Sequence, residues 1–141
     1  MVGKVCSRPV VVTRPDDTID ATARLMRMRN VGAVVVVSNG SPIGLLTDRD
    51  VAVDVVGRGK DPTTTPVREV MKKLPTVIRE EAAIFDVARI FATKGVRRLP
   101  VVNNVGKLVG IISLDDILIL LGSQMGHIAE GLASSLWRVR P

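Results

Sequence analysis

Two short stretches of the chain hold side chains that could do chemistry at a fixed spacing. They are Thr47-Asp48-Arg49-Asp50 and Ser113-Leu114-Asp115-Asp116, each directly after an apolar run. A hydroxyl followed three residues later by an acid is the sequence form of a helix N-terminal cap, worth ~1 kcal/mol. The same pair also suits a ligand. A carboxylate offers two acceptor oxygens that match the two hydroxyls of a ribose, and the N–H groups opening a helix attract phosphate. Both readings stand for Thr47 with Asp50 and for Ser113 with Asp116. Arg97-Arg98 is the third candidate, at the head of an apolar strand. Guanidinium groups hold phosphate oxygens bidentately. Alternation along a strand turns neighbours to opposite faces, so the pair also reads as solvated charge.

Other chemistry is poorly supplied. With one cysteine, Cys6, and one histidine, His127, the chain has neither an internal disulfide nor the four Cys/His ligands of a structural zinc. Nucleophilic catalysis that relies on an imidazole base has a single histidine to draw on, and it lies far from the motifs. The expectation is a non-enzyme with no catalytic cofactor and no metal. Twenty Lys and Arg against fourteen Asp and Glu leave a net charge of +6, which favours anionic partners. Phe85, Phe91 and Trp137 are the only aromatic residues, too few for base-stacking platforms. A nucleotide therefore ranks above a nucleic acid, which stays as the alternative. Arg24, Arg27 and Arg29 read as the wet face of a helix.

The elements that must position these residues come in two copies, because the chain repeats itself at a separation of 65 to 66 residues. Ile19, Ala23, Arg24, Val31, Val36 and Val37 recur identically as Ile84, Ala88, Arg89, Val96, Val101 and Val102. Val2, Val5 and Cys6 recur as Val67, Val70 and Met71, an i, i+3, i+4 face in each copy that ends before Pro9 or Pro75. Cys6 is thus read as an apolar packing residue. Thr65-Pro66 reads as N-cap and first helical residue of the second lead helix. Each copy then gives an extended run, a helix, a two-stranded hairpin and a closing helix that begins at Thr47 or Ser113. Gly95 reads as the glycine just past the second copy's helix. The predicted boundaries are 2–56 and 66–121 for the copies, 57–65 for a linker, and 122–141 for a C-terminal amphipathic helix or tail.

Hydrophobic residues make up 46% and charged residues 24% of the chain, and its longest apolar runs span five residues. A membrane span needs roughly 20. The expectation is a soluble cytoplasmic protein without a signal segment.

A β-α-β-β-α unit present twice, with Gly-apolar-apolar-[Ser/Thr]-x-x-Asp opening its last helix, resembles the cystathionine-β-synthase (CBS) domain. The resemblance runs over residues 2–121. It rests on Gly95-Val96-Arg97-Arg98-Leu99-Pro100-Val101-Val102 and Gly110-Ile111-Ile112-Ser113-Leu114-Asp115-Asp116-Ile117. It implies an α/β (α+β) fold: tandem motifs packed sheet to sheet as a pseudo-twofold Bateman module. It also implies a regulatory sensor whose clefts bind AMP, ADP, ATP or S-adenosylmethionine. Asp116, Asp50, Ser113 and Thr47 would then hold the ribose, Arg97 and Arg98 the phosphate, and Val10, Ala33, Thr76 and Ile111 the adenine. The first copy has Gly32-Ala33 where the second has Arg97-Arg98, and Val35 where the second has Pro100. Grouping Ser113, Asp116, Arg97 and Arg98 in one cleft predicts that the second copy binds the tighter. A purely structural dimerisation module with empty clefts is the remaining alternative.

Ile117 to Leu121 is apolar around the whole helix, and Met125, Ile128, Ala129, Leu132, Ala133, Leu136 and Trp137 form a helical stripe. Two small sheets offer too little surface to cover both. A homodimer is expected, with an effector protein as a further possible partner for the tail.

Overall fold

The computed structural model describes residues 1–73 and 76–138, with Arg138 by its backbone alone. The reading of Pro75 as a helix stop lies outside the described residues. Two sheets carry the fold. The first contains β1 (Val12–Thr13), β2 (Ala33–Ser38), β3 (Ser41–Thr47) and β4 (Lys72–Lys73), in that order. The second contains β5 (Ile78–Arg79), β6 (Arg98–Val102) and β7 (Leu108–Ser113). β1 runs parallel to β2 and β5 parallel to β6, with α1 (Ile19–Arg29) and α3 (Ile84–Lys94) as the crossovers. The hairpins β2–β3 and β6–β7 are antiparallel.

Local chemistry sets these boundaries. The Thr18 side chain accepts from the Ala21 N–H at 3.2 Å to open α1, and Asn30 closes it in the left-handed region. Gly95 closes α3 at φ +64, where a glycine carries no Cβ penalty. Asn39 and Gly40 both have positive φ, the requirement of the tight turn that twists correctly between β2 and β3. Thr65-Pro66 departs from the sequence reading. Thr65 donates its hydroxyl to the Asp61 carbonyl at 2.7 Å, and Pro66 itself takes the N-cap position of a single 3-10 turn, Val67–Glu69.

Each repeat has its own helix-side core, and each core borrows its lid from the other repeat. Val2 packs with Ile78, Val87, Leu99, Val101 and Ile112 of the second repeat, whereas Val67 and Val70 pack with Ile19, Val34, Val36 and Leu46 of the first. Backbone bonds fix this exchange. The Val2 and Gly3 N–H groups donate to Ala82 and Glu80, and Ser7 and Ile111 exchange bonds at 2.9 and 3.2 Å. In the first repeat the Val67 N–H donates to Asp17, and β4 pairs with Gly44 and Leu45. Cys6 and Met71 occupy equivalent seats, one over Gly110 and the other over Gly44. Val35 is fully buried but lies outside the helix-side core, as do buried Pro100 and Val102. Strand alternation puts these residues on the opposite faces, where the two sheets cover one another. The Leu108 N–H also donates to Gly40, which joins the two hairpins.

The closing helices differ. In the first repeat α2 (Asp48–Asp50) passes into a π-helical segment, Val51–Val56. In the second, α4 (Leu114–Arg138) continues as one helix of 25 residues, about 37 Å long. It runs through Gly122, Gly126 and Gly131 without a break, so the C-terminal segment from 122 continues the closing helix. Leu118, Leu121, Met125, Ile128, Leu132 and Leu136 lie exposed along it.

Candidate ligand-binding clefts

The two hydroxyl-acid pairs are complete capping boxes. The Asp50 N–H donates to Thr47 Oγ1 at 3.2 Å while Asp50 Oδ2 accepts from the Thr47 N–H at 2.9 Å. Ser113 and Asp116 repeat the arrangement at 3.1 and 2.8 Å. A cap of this kind does not exhaust the carboxylate. The cap engages Oδ2 of each acid, and among the described residues no donor reaches Oδ1. The environments differ, since Asp50 is buried at 8% exposure and Asp116 is half-buried.

Two clefts lie between the repeats, and each takes its walls from both. The first, of about 200 Å³, is lined by Leu45, Thr47 and Asp50 of the first repeat, by Lys72 and Lys73 of β4, and by Val96, Arg97 and Arg98 of the second repeat. The second, of about 270 Å³, is lined by Ser7, Pro9, Val10, Val11, Val31, Gly32, Ala33, Arg98 and Ile111. They are related by the repeat. Leu45 corresponds to Ile111, Lys72 to Ser7, and Arg97-Arg98 to Gly32-Ala33.

This arrangement corrects the grouping expected from sequence. The ladder does set Arg98 beside Ser113, and the Leu114 N–H donates to the Arg97 carbonyl at 2.9 Å. Arg97 and Arg98 together, however, line the cleft that holds Thr47 and Asp50, and Arg98 lines the second cleft as well. Ser113 and Asp116 are not among the described lining residues of either cleft. The physical reason is the crossed packing: the end of one repeat's second hairpin strand meets the start of the other repeat's first. Of the four residues read as an adenine pocket, Val10, Ala33 and Ile111 line the second cleft together, and Thr76 lines neither. The Thr76 hydroxyl donates to the Val77 carbonyl at 3.2 Å.

Sequence reasoning missed Lys72 and Lys73. They follow the second lead turn at the point where β4 joins the edge of the first sheet, so the crossing that seats Met71 on Gly44 also delivers two ammonium groups to the cleft. The equivalence of Met71 with Cys6 was visible, but which sheet each would join was not. Lys72 Nζ lies 3.3 Å from Asp54 Oδ2, and Arg97 Nη2 lies 3.9 Å from Asp115 Oδ1. Among the described residues no carboxylate pairs with Lys73 or Arg98.

The CBS domain family model matches residues 2–57 and 67–123, the two repeats of this fold. The chain belongs to the CBS domain family. The CBS domain-containing protein YhcV of Bacillus subtilis is 37% identical over 124 residues, covering 88% of this CBS pair and 85% of that protein. The uncharacterized protein MK0525 of Methanopyrus kandleri is 36% identical over 118 residues, 83% of this chain, which spans 60% of its length. Among solved structures, the CBS domain pair of protein MJ0100 in complex with 5′-methylthioadenosine and S-adenosyl-L-methionine superimposes with a TM-score of 0.76. It is 22% identical, and the match covers 87% of this CBS pair and 96% of that chain. CBSX2 in complex with AMP gives 0.72 at 24% identity, over 88% and 97% of the two chains. These likenesses carry the fold: a tandem CBS pair of mixed α/β architecture with two small sheets. Among the described residues no helix is long and apolar enough to cross a membrane.

Proposed function

We propose that this CBS pair is a non-catalytic sensor that binds an adenosyl compound, either AMP, ADP or ATP or S-adenosylmethionine, between its repeats. The observation that carries the reading is the first cleft, where a buried carboxylate and a hydroxyl, Asp50 and Thr47, share one concavity with four cationic side chains. A carboxylate oxygen outside the cap suits ribose hydroxyls, and Lys and Arg suit phosphate. Solved CBS pairs of the same fold are described with AMP, and with 5′-methylthioadenosine and S-adenosyl-L-methionine, which supports the adenosyl class. Each cleft is smaller than the ~300–1,000 Å³ of sites that enclose a ligand, which fits a nucleotide lying along an open cleft. Occupancy of the first cleft reaches the surface through α2, because Thr47 is at once a cleft-side strand end and the cap of that helix.

The test is a thermal-shift panel of adenosyl compounds against guanosine and cytidine counterparts, since binding to the native state raises stability by RT ln(1 + [L]/Kd). An adenosyl-specific rise supports the sensor. Equal shifts for all nucleotides, or steep loss with salt for nucleic acid that ignores Asp50, favour the nucleic-acid alternative.

The active form in this reading is a homodimer. Leu118, Leu121, Met125, Ile128 and Leu132 step along α4 by three and four residues, the spacing of a helix-to-helix seam, and all five are exposed in the single chain. Between Ile117 and Trp137 the helix carries one acid, Glu130, and no Lys or Arg, so an identical helix can approach without like-charge cost. An effector protein would compete for the same face.

A further inference from the structure

The two clefts are equivalent by the repeat, yet the residues at equivalent points differ in charge. In the first cleft Lys72, Lys73, Arg97 and Arg98 surround the single carboxylate of Asp50. In the second, Ser7, Gly32 and Ala33 stand where Lys72, Arg97 and Arg98 stand in the first, and Arg98, which lines both clefts, is the one cation among its described lining residues. Arg8, the counterpart of Lys73, is turned to Glu80 Oε2 and the Gly3 carbonyl, both at 3.2 Å, and does not line the cleft. Gly32 adds the opposite sign. A Cβ placed there would lie 3.0 Å from Asp48 Oδ2, so the missing side chain brings a carboxylate close to the second cleft's wall. In the first cleft the counterpart of Asp48 is Leu114.

Three of the four cations of the first cleft remain available for a ligand, while Lys72 is held by Asp54 at 3.3 Å. The Arg97–Asp115 contact is long at 3.9 Å, and both side chains are more than 70% exposed, so solvent screens it. Lys73 and Arg98 have no carboxylate partner among the described residues. Three weakly held cations exceed what a single phosphate needs.

Resting on the sensor reading above, we infer that the clefts divide adenosyl ligands by charge. The first is a polyphosphate cleft for an adenosine di- or triphosphate, and the second takes an adenosyl compound without phosphate. The strand-start residues and β4 set the selectivity. One chain can therefore report two metabolite classes at once.

Calorimetry on the full chain with adenosine, AMP, ADP, ATP, 5′-methylthioadenosine and inorganic tripolyphosphate tests this. Affinity at one site should rise by about threefold to tenfold with each added phosphate, the range of one charge-assisted contact discounted for exposure. Saturating 5′-methylthioadenosine should leave that site open to ATP. Lys73→Gln and Arg97→Gly should each lower ATP affinity by a similar factor and leave 5′-methylthioadenosine affinity unchanged. Two variants on different strands guard against a local folding defect in one. AMP, ADP and ATP binding equally well, or 5′-methylthioadenosine displacing ATP one for one, would overturn the division by charge and leave the sensor reading intact. Tripolyphosphate binding as tightly as ATP, or no adenosyl compound binding a folded protein, would overturn the sensor reading and this inference with it.

Discussion

Gly110→Ala perturbs the crossed packing at its tightest point. Gly110 is buried in β7, and a Cβ built on it would meet Cys6 Sγ at 2.4 Å, Cys6 Cβ at 3.2 Å and the Ser7 carbonyl oxygen at 3.3 Å. Ordinary contact begins near 3.4 Å, so the sulfur must retreat by about 1 Å with backbone on either side of it. Forcing an extra methyl into a closed site costs about 1–3 kcal/mol. For a chain of this length that is a fall in melting temperature of roughly 3–9 °C. Cys6→Ala removes the offending atom at a cost of about 1 kcal/mol, the scale of one buried methyl-sized group. The double variant should therefore be more stable than the two single losses predict by about 1 kcal/mol. Thermal and urea denaturation of the four proteins read this directly. Losses that add to within about 0.5 kcal/mol would refute the contact and with it the seating of the N-terminal segment on the second repeat.

Three further perturbations reach other parts of the structure. Asp50→Ala should weaken adenosyl binding at the first cleft by ~1.5–3 kcal/mol and lower stability by ~1 kcal/mol through the lost cap, and Asp116→Ala should weaken that binding less; calorimetry and melting curves report the two effects separately. Asp61 accepts from the Thr63 hydroxyl at 2.7 Å and the Thr63 N–H at 2.9 Å, and these bonds hold its carboxyl below the usual carboxylate range. A depressed folded value means the stabilisation is present above the unfolded value and lost as pH falls through the folded one. An NMR titration should place the Asp61 midpoint below that of an ordinary aspartate, and Thr63→Ala should raise it. A chain ending at Leu121 should size as a monomer at micromolar concentration while the full chain sizes as a dimer. A full-length monomer would refute the dimer, and a shortened chain that stays dimeric would place the interface on the repeats.

Most of the fold was legible because the repeat supplies each element twice. Identical residues at Val36-Val37 and Val101-Val102 marked the equivalent strands, and Gly95 marked a helix end that only a few residue types can make. The crossing of the lead segments was not legible. An i, i+3, i+4 stripe says that Val2, Val5 and Cys6 are buried, but it carries no information about which of two nearly identical cores receives them. That ambiguity propagated to the site. Residues close in sequence, Arg97-Arg98 and Ser113-Asp116, were grouped together, whereas the tertiary crossing groups Arg97-Arg98 with Thr47 and Asp50 and adds Lys72 and Lys73. Continuity of α4 was not legible for a different reason: the boundary at Gly122 marks the end of the repeat, and the end of a repeat carries no information about whether its last helix runs on.

The central claim is that an adenosyl ligand occupies the cleft shared by Asp50 and the strand-start arginines. Amide chemical shifts of the ¹⁵N-labelled full chain, followed as ADP is added, test it most directly. Saturable changes are expected at Thr47, Asp50, Lys72, Lys73, Val96 and Arg97, residues far apart in sequence that meet in this cleft. Saturable changes confined to another surface, such as the Asn39-Gly40 turn, or the absence of saturable change at any of these amides, would contradict it.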